Sequence, residues 1–360
     1  MGRKTGKHAG ILAVHAAAAA LVACGGTPEA AGPTPGHAVD DRIVCAPADT
    51  PSRFRFRNGV WLNLHNFLFL QAKRARGIHD ESAAAAPGTD AEALALRTLS
   101  REERAIWDTA VATYVDRVLP HTGMSNPVLD VNERIAGAGS GALPSTLDPA
   151  LRATLEAALP VYLAVWWPRH EAHNAGWIAE MQSLLDRYEA CLGPRLATAL
   201  GTVWADDPIP VDASVYASWY GAYSVAEAPH ITMATTAVGN RGLMGLEGLL
   251  HEAGHVAPQR LSDALATAGD RQGRAVPQEL AHLLLFYTAG ELVWRAVPGH
   301  PGYARAYGIW EQNERARRFR EVLAREWRPW LYGERSFEDA LHAVVAEAPT
   351  LASTGAASRR

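Results

Sequence analysis

Apolar positions recur at helical spacing along most of the chain. Between Trp61 and Lys73, Leu62, Leu64, Phe67, Leu68 and Ala72 fit a helix better than a strand, so the folded part is expected to begin near Arg53. Ser100 and Glu103 stand at capping-box spacing, and Ile106, Ala110, Val111, Tyr114 and Val118 then form one apolar face. Residues 149–201 predict two or three long helices, with Pro160 and Pro168 as boundaries or kinks. The texture changes near residue 208, where "PIPVDASVYASWYGAYSV" and "HITMATTAV" read as two or three short strands. Asn240 is a reasonable N-cap for a helix over "RGLMGLEGLLHEAGHV". Further helices are expected over "QELAHLLLFYTAGELVWRAV", "ERARRFREVLAREW" and "SFEDALHAVVAEA". The fold class is therefore mainly α with a small β-sheet, α+β.

The ends of the chain read differently. Arg3, Lys4 and Lys7 precede a short apolar run, "ILAVHAAAAALVA", well below the ~20 residues that span a bilayer, which reads as a secretory signal. The run ends in Leu21, Val22, Ala23 and Cys24, which resembles the lipobox of bacterial lipoproteins. The resemblance implies cleavage before Cys24 and a lipid on its thiol, anchoring the chain to the cell envelope. With Gly25 following, it implies the periplasmic face of the outer membrane in a Gram-negative source. The alternative is a plain signal peptide with an incidental Cys. Expected organisation is a signal peptide over 1–23, a flexible Gly/Pro/Ala-rich tether over 24–52, a helical part over 53–205, a metal-binding part over 206–350 and a disordered tail over 351–360.

Composition adds little against this reading. The 360 residues are 48% hydrophobic and 20% charged, enough for a real core. A net charge of −4 offers no reason to expect a nucleic-acid partner. Besides Cys24 only Cys45 and Cys191 remain, and export permits a disulfide between them, although two free thiols fit nearly as well.

The chemistry is concentrated in "GLEGLLHEAGHVAPQRL", where His251, Glu252 and His255 spell H-E-x-x-H. Residues four apart share a helix face, so both imidazoles can reach one cation while Glu252 stands about 100° round, placed as a base. With 14 His in the chain the motif arises by chance in roughly 3% of such sequences. Its position after a sheet and before a second helix strengthens it. "LLHEAGHVA" resembles the active helix of the zincin metallopeptidases. Pro258 and Leu261 depart from the metzincin form, and the gluzincin form is nearer.

That resemblance implies a zincin-like core with the HExxH helix packed on a short sheet. It also implies a Zn2+ cofactor held by His251, His255 and a third ligand, with Glu252 as general base and a peptide or protein substrate. The third ligand is expected on the following helix. Glu279 is near the gluzincin spacing, but an acid just after Pro277 is also explained by the helix dipole. His282, set among Leu280, Ala281, Leu283, Leu284 and Leu285, needs a partner to be tolerated there, and is favoured; Glu291 is a weaker third choice. Glu247, four before His251, is a candidate to orient it. Tyr287, Tyr303 and Tyr307 are candidate donors to an oxyanion, and His230 could line the cleft. His170, Glu171 and His173 form a rival cluster that reads as structural or as cleft wall, and His65 has no assignable role.

The competing reading is an envelope lipoprotein that binds metal without turnover, or keeps the helix for structure alone. Glu252 discriminates, because a storage site has no use for a base.

Overall fold

A computed structural model describes residues 42–47, 50–78, 89–119, 127–204, 207–217, 221–225, 230–256 and 259–349. The signal segment, Cys24, residues 24–41 of the tether and the tail over 351–360 lie outside the described residues.

The fold is α+β, mostly helical with one mixed sheet of four strands. The strands are β1 (Phe54–Arg57), β2 (Ile209–Ser214), β3 (Ala222–Val225) and β4 (His230–Ala234), in the order β1-β2-β4-β3. β1, β2 and β4 run parallel, and β3 pairs antiparallel with β4 at one edge. The first strand departs from expectation. The stretch "RFRFR" alternates Phe and Arg, and that period of two lets Phe54 and Phe56 face the apolar side while Arg57 on the other side meets Asp212 at 2.5–2.8 Å.

The helices up to the sheet are α1 (Val60–Ala75), α2 (Thr89–Thr98), α3 (Arg101–Arg117), α4 (Pro127–Ile135), α5 (Pro149–Val165) and α6 (Trp167–Ala199). After the sheet come α7 (Gly242–Val256), α8 (Gln259–Gln272), α9 (Leu280–Ala296), α10 (Tyr303–Ala306), α11 (Glu314–Val322), a π turn (Leu323–Trp327), α12 (Arg328–Leu331) and α13 (Phe337–Glu347). The Ser100–Glu103 capping box is formed at the start of α3. Pro160 sits inside α5, whereas Pro168 stands in the first turn of α6, where its missing N–H costs nothing. Asn240 does not cap α7. It closes a short 3-10 turn, and its amide donates to the carbonyls of Gly221 and Ala234, binding the ends of β3 and β4 together.

Among the described residues two large apolar cores result, beside a small cluster of Ala217, Tyr223, Ala234 and Ala237. One lies between α1, α3, α5 and their connections, built on Phe67, Trp107, Tyr162 and Trp166. The other joins one sheet face (Val211, Ala213, Ile231, Met233) to α6, α7, α9 and the C-terminal helices. β1 and α6 come from before residue 205 yet belong to the second core, so the two halves of the chain are interleaved. Buried amides knit the cores. Asn63 donates to Ala213 O at 3.0 Å, and Asn174 donates to Asn63 Oδ1 at 3.0 Å while accepting from Thr235 at 2.6 Å. Among the described residues no helix is long and apolar enough to cross a membrane.

Candidate metal centre

α7 lays Leu246, Leu249, Leu250 and Ala253 into the second core, which sends His251, Glu252 and His255 toward a different side. α9 does the same with Leu280, Leu284, Leu285 and Ala289, and His282 and Phe286 are left on the face toward α7. Gly254 lets the two helices approach, since a Cβ there would stand 3.0 Å from Leu285.

The three imidazoles meet. His251 Nε2 lies 3.1 Å from His282 Nε2 and 3.1 Å from His255 Nε2, and one nitrogen of each falls within 4.8 Å of the others. A tetrahedral ion with metal–nitrogen bonds near 2.0–2.1 Å sets its ligand nitrogens about 3.3–3.4 Å apart. Hydrogen bonding alone fits less well, because one ring nitrogen cannot serve two imidazole nitrogens in the plane of its single lone pair or proton. The donor set suits a borderline-soft ion such as zinc. This buried cluster can hold a metal ion.

Glu252 is buried beside the cluster, and its Oε2 has no hydrogen-bond partner among the described residues. Burial pushes its carboxyl up to about 7, while the nearby Ser224 side chain on β3 pulls slightly the other way. An orphaned carboxylate oxygen costs about 1–3 kcal/mol, the kind of cost tolerated at functional sites. A divalent cation at the histidines would oppose burial and favour the charged form.

The remaining candidates separate clearly. Glu279 stands at the first residue before α9 and pairs with Arg315 at 2.7 Å, a salt bridge at the helix N-terminus. Glu291 accepts from Tyr332 at 2.7 Å and Arg328 at 3.1 Å, and neither acid joins the histidine cluster. Glu247, the candidate to orient His251, is engaged elsewhere through one oxygen. Its Oε2 accepts from His300 Nε2 at 2.6 Å and from the Tyr303 backbone N–H at 2.8 Å. The fixed spacing on α7 suggested His251, but the carboxylate reaches a loop fifty residues on.

Phe286 stacks on His251 at 3.9 Å, Tyr303 lies parallel to Phe286 at 6.0 Å, and Tyr307 stacks on Tyr303 at 4.6 Å. Burial first, then the charges of Tyr307, Glu252 and Glu247, raise the Tyr303 phenol well above its ordinary range. Tyr287 instead packs against Trp310. His230 is buried at the start of β4, with its ring edge-on to Tyr223.

The rival histidines go to separate partners. His170 Nδ1 meets Tyr162 at 2.9 Å, His173 Nε2 meets the Thr235 carbonyl at 3.2 Å, and the Glu171 carbonyl accepts from Asn58. His65 bonds Tyr114 at 2.7 Å in the first core. Residues missed by sequence reasoning are His300 and Ser224, and only the burial of Glu247, invisible in the sequence, points to the first.

Protein-family models, curated proteins and solved structures compared with this chain give no match.

Proposed function

We propose that the chain is a zinc-dependent hydrolase of zincin type acting on peptide bonds, exported and lipid-anchored at the cell envelope. The observation that carries this reading is the convergence of three imidazoles beside a buried carboxylate with an orphaned oxygen. His251, His255 and His282 would hold the ion, with His282 rather than Glu279 as third ligand. When bound, zinc supplies Lewis-acid polarisation of a carbonyl and lowers the pKa of water.

Glu252 is the proton carrier. It accepts a proton from the attacking water on its carboxylate and returns it to the leaving amine. Burial favours the protonated half of that cycle and a neighbouring cation would favour the charged half. Tyr303, half-buried and parallel to the Phe286 ring that stacks on His251, is a candidate donor to a developing oxyanion. β3 supports a peptide substrate: it is one edge of the sheet, has Ser224 near Glu252, and offers a strand with which an extended chain can pair.

Export has support from the Cys45–Cys191 disulfide, a bond at home in an oxidising compartment. The lipid on Cys24 rests on the lipobox resemblance alone. A non-catalytic metal-binding lipoprotein would account for the histidines but not for Glu252.

The test begins with metal content of the purified protein beside His251→Ala, His282→Ala and Glu279→Ala. Near-stoichiometric zinc, lost with either histidine and kept without Glu279, is expected. A mixed peptide digest analysed by mass spectrometry then reads turnover, with Glu252→Gln as the silent control. Folded protein that takes up no zinc on reconstitution would falsify the hydrolase reading.

A further inference from the structure

Glu247 and His300 are the most deeply buried acid–base pair of the described residues outside the histidine cluster. Both side chains are 2% exposed, and their atoms stand 2.6 Å apart. The same carboxylate oxygen takes the Tyr303 backbone N–H at 2.8 Å. Two glycines make room for it: a Cβ on Gly290 of α9 would lie 3.0 Å from Oε1, and Gly302, at φ +79°, brings the loop to within contact of Oε2. The carboxylate therefore sits where α7, α9 and the 297–302 loop meet.

The ends of the loop are held by Val297 N–H to Val293 O at 2.8 Å and by Ala304, which is buried in the second core. The loop turns through Gly299 and Gly302, both at positive φ, and delivers the four-residue α10 that begins with Tyr303. Tyr303 in turn lies parallel to Phe286, which stacks on His251. One anchor thus connects the helix carrying the H-E-x-x-H to the ring that lies against Phe286.

We propose that Glu247 and His300 form a clasp that seats Tyr303 against Phe286 at the edge of the histidine cluster, making Glu247 a positioning residue of the site. The proposal rests on the hydrolase reading for its catalytic purpose. A charge-assisted bond inside the protein is strong enough to fix a loop that turns on two glycines. Glu247 acts through Tyr303 and touches none of the three histidine nitrogens that converge.

The test uses Glu247→Gln, which preserves shape, with His300→Gln as a second variant should the first fold poorly, and Tyr303→Phe. Zinc content reads the metal site. Acetohydroxamate affinity of the zinc-loaded protein reads the donor, and trypsin cleavage after exposed Arg305 reads the loop with or without metal. Zinc content should stay unchanged in all three variants. Cleavage at Arg305 should rise about tenfold in Glu247→Gln and His300→Gln, the scale of one lost hydrogen bond. Acetohydroxamate should bind about tenfold more weakly to Glu247→Gln and to Tyr303→Phe, and the double variant should be no worse than the weaker single.

A purely structural Glu247 would give independent effects that multiply, and that result overturns the proposal. So does wild-type cleavage at Arg305 in both clasp variants. Wild-type protein that binds no zinc removes the hydrolase reading and the clasp's catalytic purpose together, while Arg305 cleavage still decides whether the clasp exists.

Discussion

At the residue scale the decisive contrast lies between acids that look alike in the sequence. Glu252 is buried with its Oε2 unpartnered, Glu279 is paired with Arg315 and about a quarter exposed, and Glu247 is buried with Oε2 bonded twice and Oε1 unpartnered. Three fates for one side-chain type give three different expectations. Glu252→Gln should retain zinc yet lose about 10²–10⁴-fold in turnover, because the amide keeps the shape and cannot carry the proton. Metal analysis beside a peptide-cleavage assay separates the two effects, and unaltered turnover would remove Glu252 from the mechanism. Glu279→Ala should leave zinc content as it was and cost at most about 1 kcal/mol, as expected for a partly exposed ion pair. Chemical denaturation with metal analysis checks this, and zinc lost with Glu279 would reinstate it as a ligand.

At the element scale, α7 is a helix with four glycines, and their surroundings differ enough to predict opposite effects. A Cβ on Gly245 would stand 2.5 Å from the Asn240 carbonyl oxygen and 2.7 Å from its carbon, backbone atoms already used by Trp177. A Cβ on Gly248 would sit 3.5 Å from Met233, an ordinary contact. Gly245→Ala should therefore destabilise by about 1–3 kcal/mol through overpacking. Gly248→Ala should be neutral or stabilise by up to about 1 kcal/mol through helix propensity. Thermal melts of the two variants should move apart, and a common direction would mean that the start of α7 is free to shift.

The same scale explains what could be read in advance. Long helices were legible because their apolar faces repeat over many turns, and the H-E-x-x-H because its geometry is local to one helix. His282 followed from an imidazole in a run of leucines, an anomaly that burial makes expensive. β1 was missed although "RFRFR" alternates cleanly, since four residues beside a strong helix signal carry little weight until β2 arrives 155 residues later. The helices at Pro127–Ile135 and Gln259–Gln272 also went unread, the first short and the second following closely on α7. The partner of Glu247 was not legible at all. Spacing along a helix nominates neighbours on that helix, and it says nothing of a loop that folds back from residue 300.

At the scale of the whole molecule, the segment read as tether is fastened before it reaches the first strand. Ile43 is buried in the second core, its N–H donates to the Arg295 carbonyl at the end of α9, and Cys45 is bonded to Cys191 on α6. The covalent link spans 146 positions, so it removes a large loop from the unfolded ensemble. Chain entropy for such a loop has an upper value near 5 kcal/mol, and residual structure in the unfolded chain reduces what is realised. Replacing both cysteines by Ala, with Cys24 also replaced to exclude mispairing, should lower unfolding stability by about 2–5 kcal/mol relative to the Cys24 variant alone. Zinc uptake should persist at temperatures where the variant stays folded, because neither cysteine approaches the histidines. Urea titration reads the stability, and thiol counting on exported, denatured and unreduced protein reads the bond. Two reactive thiols, or a midpoint that does not move, would mean that the strap is held by Ile43 and its neighbours alone, and would take from the export reading its one structural support.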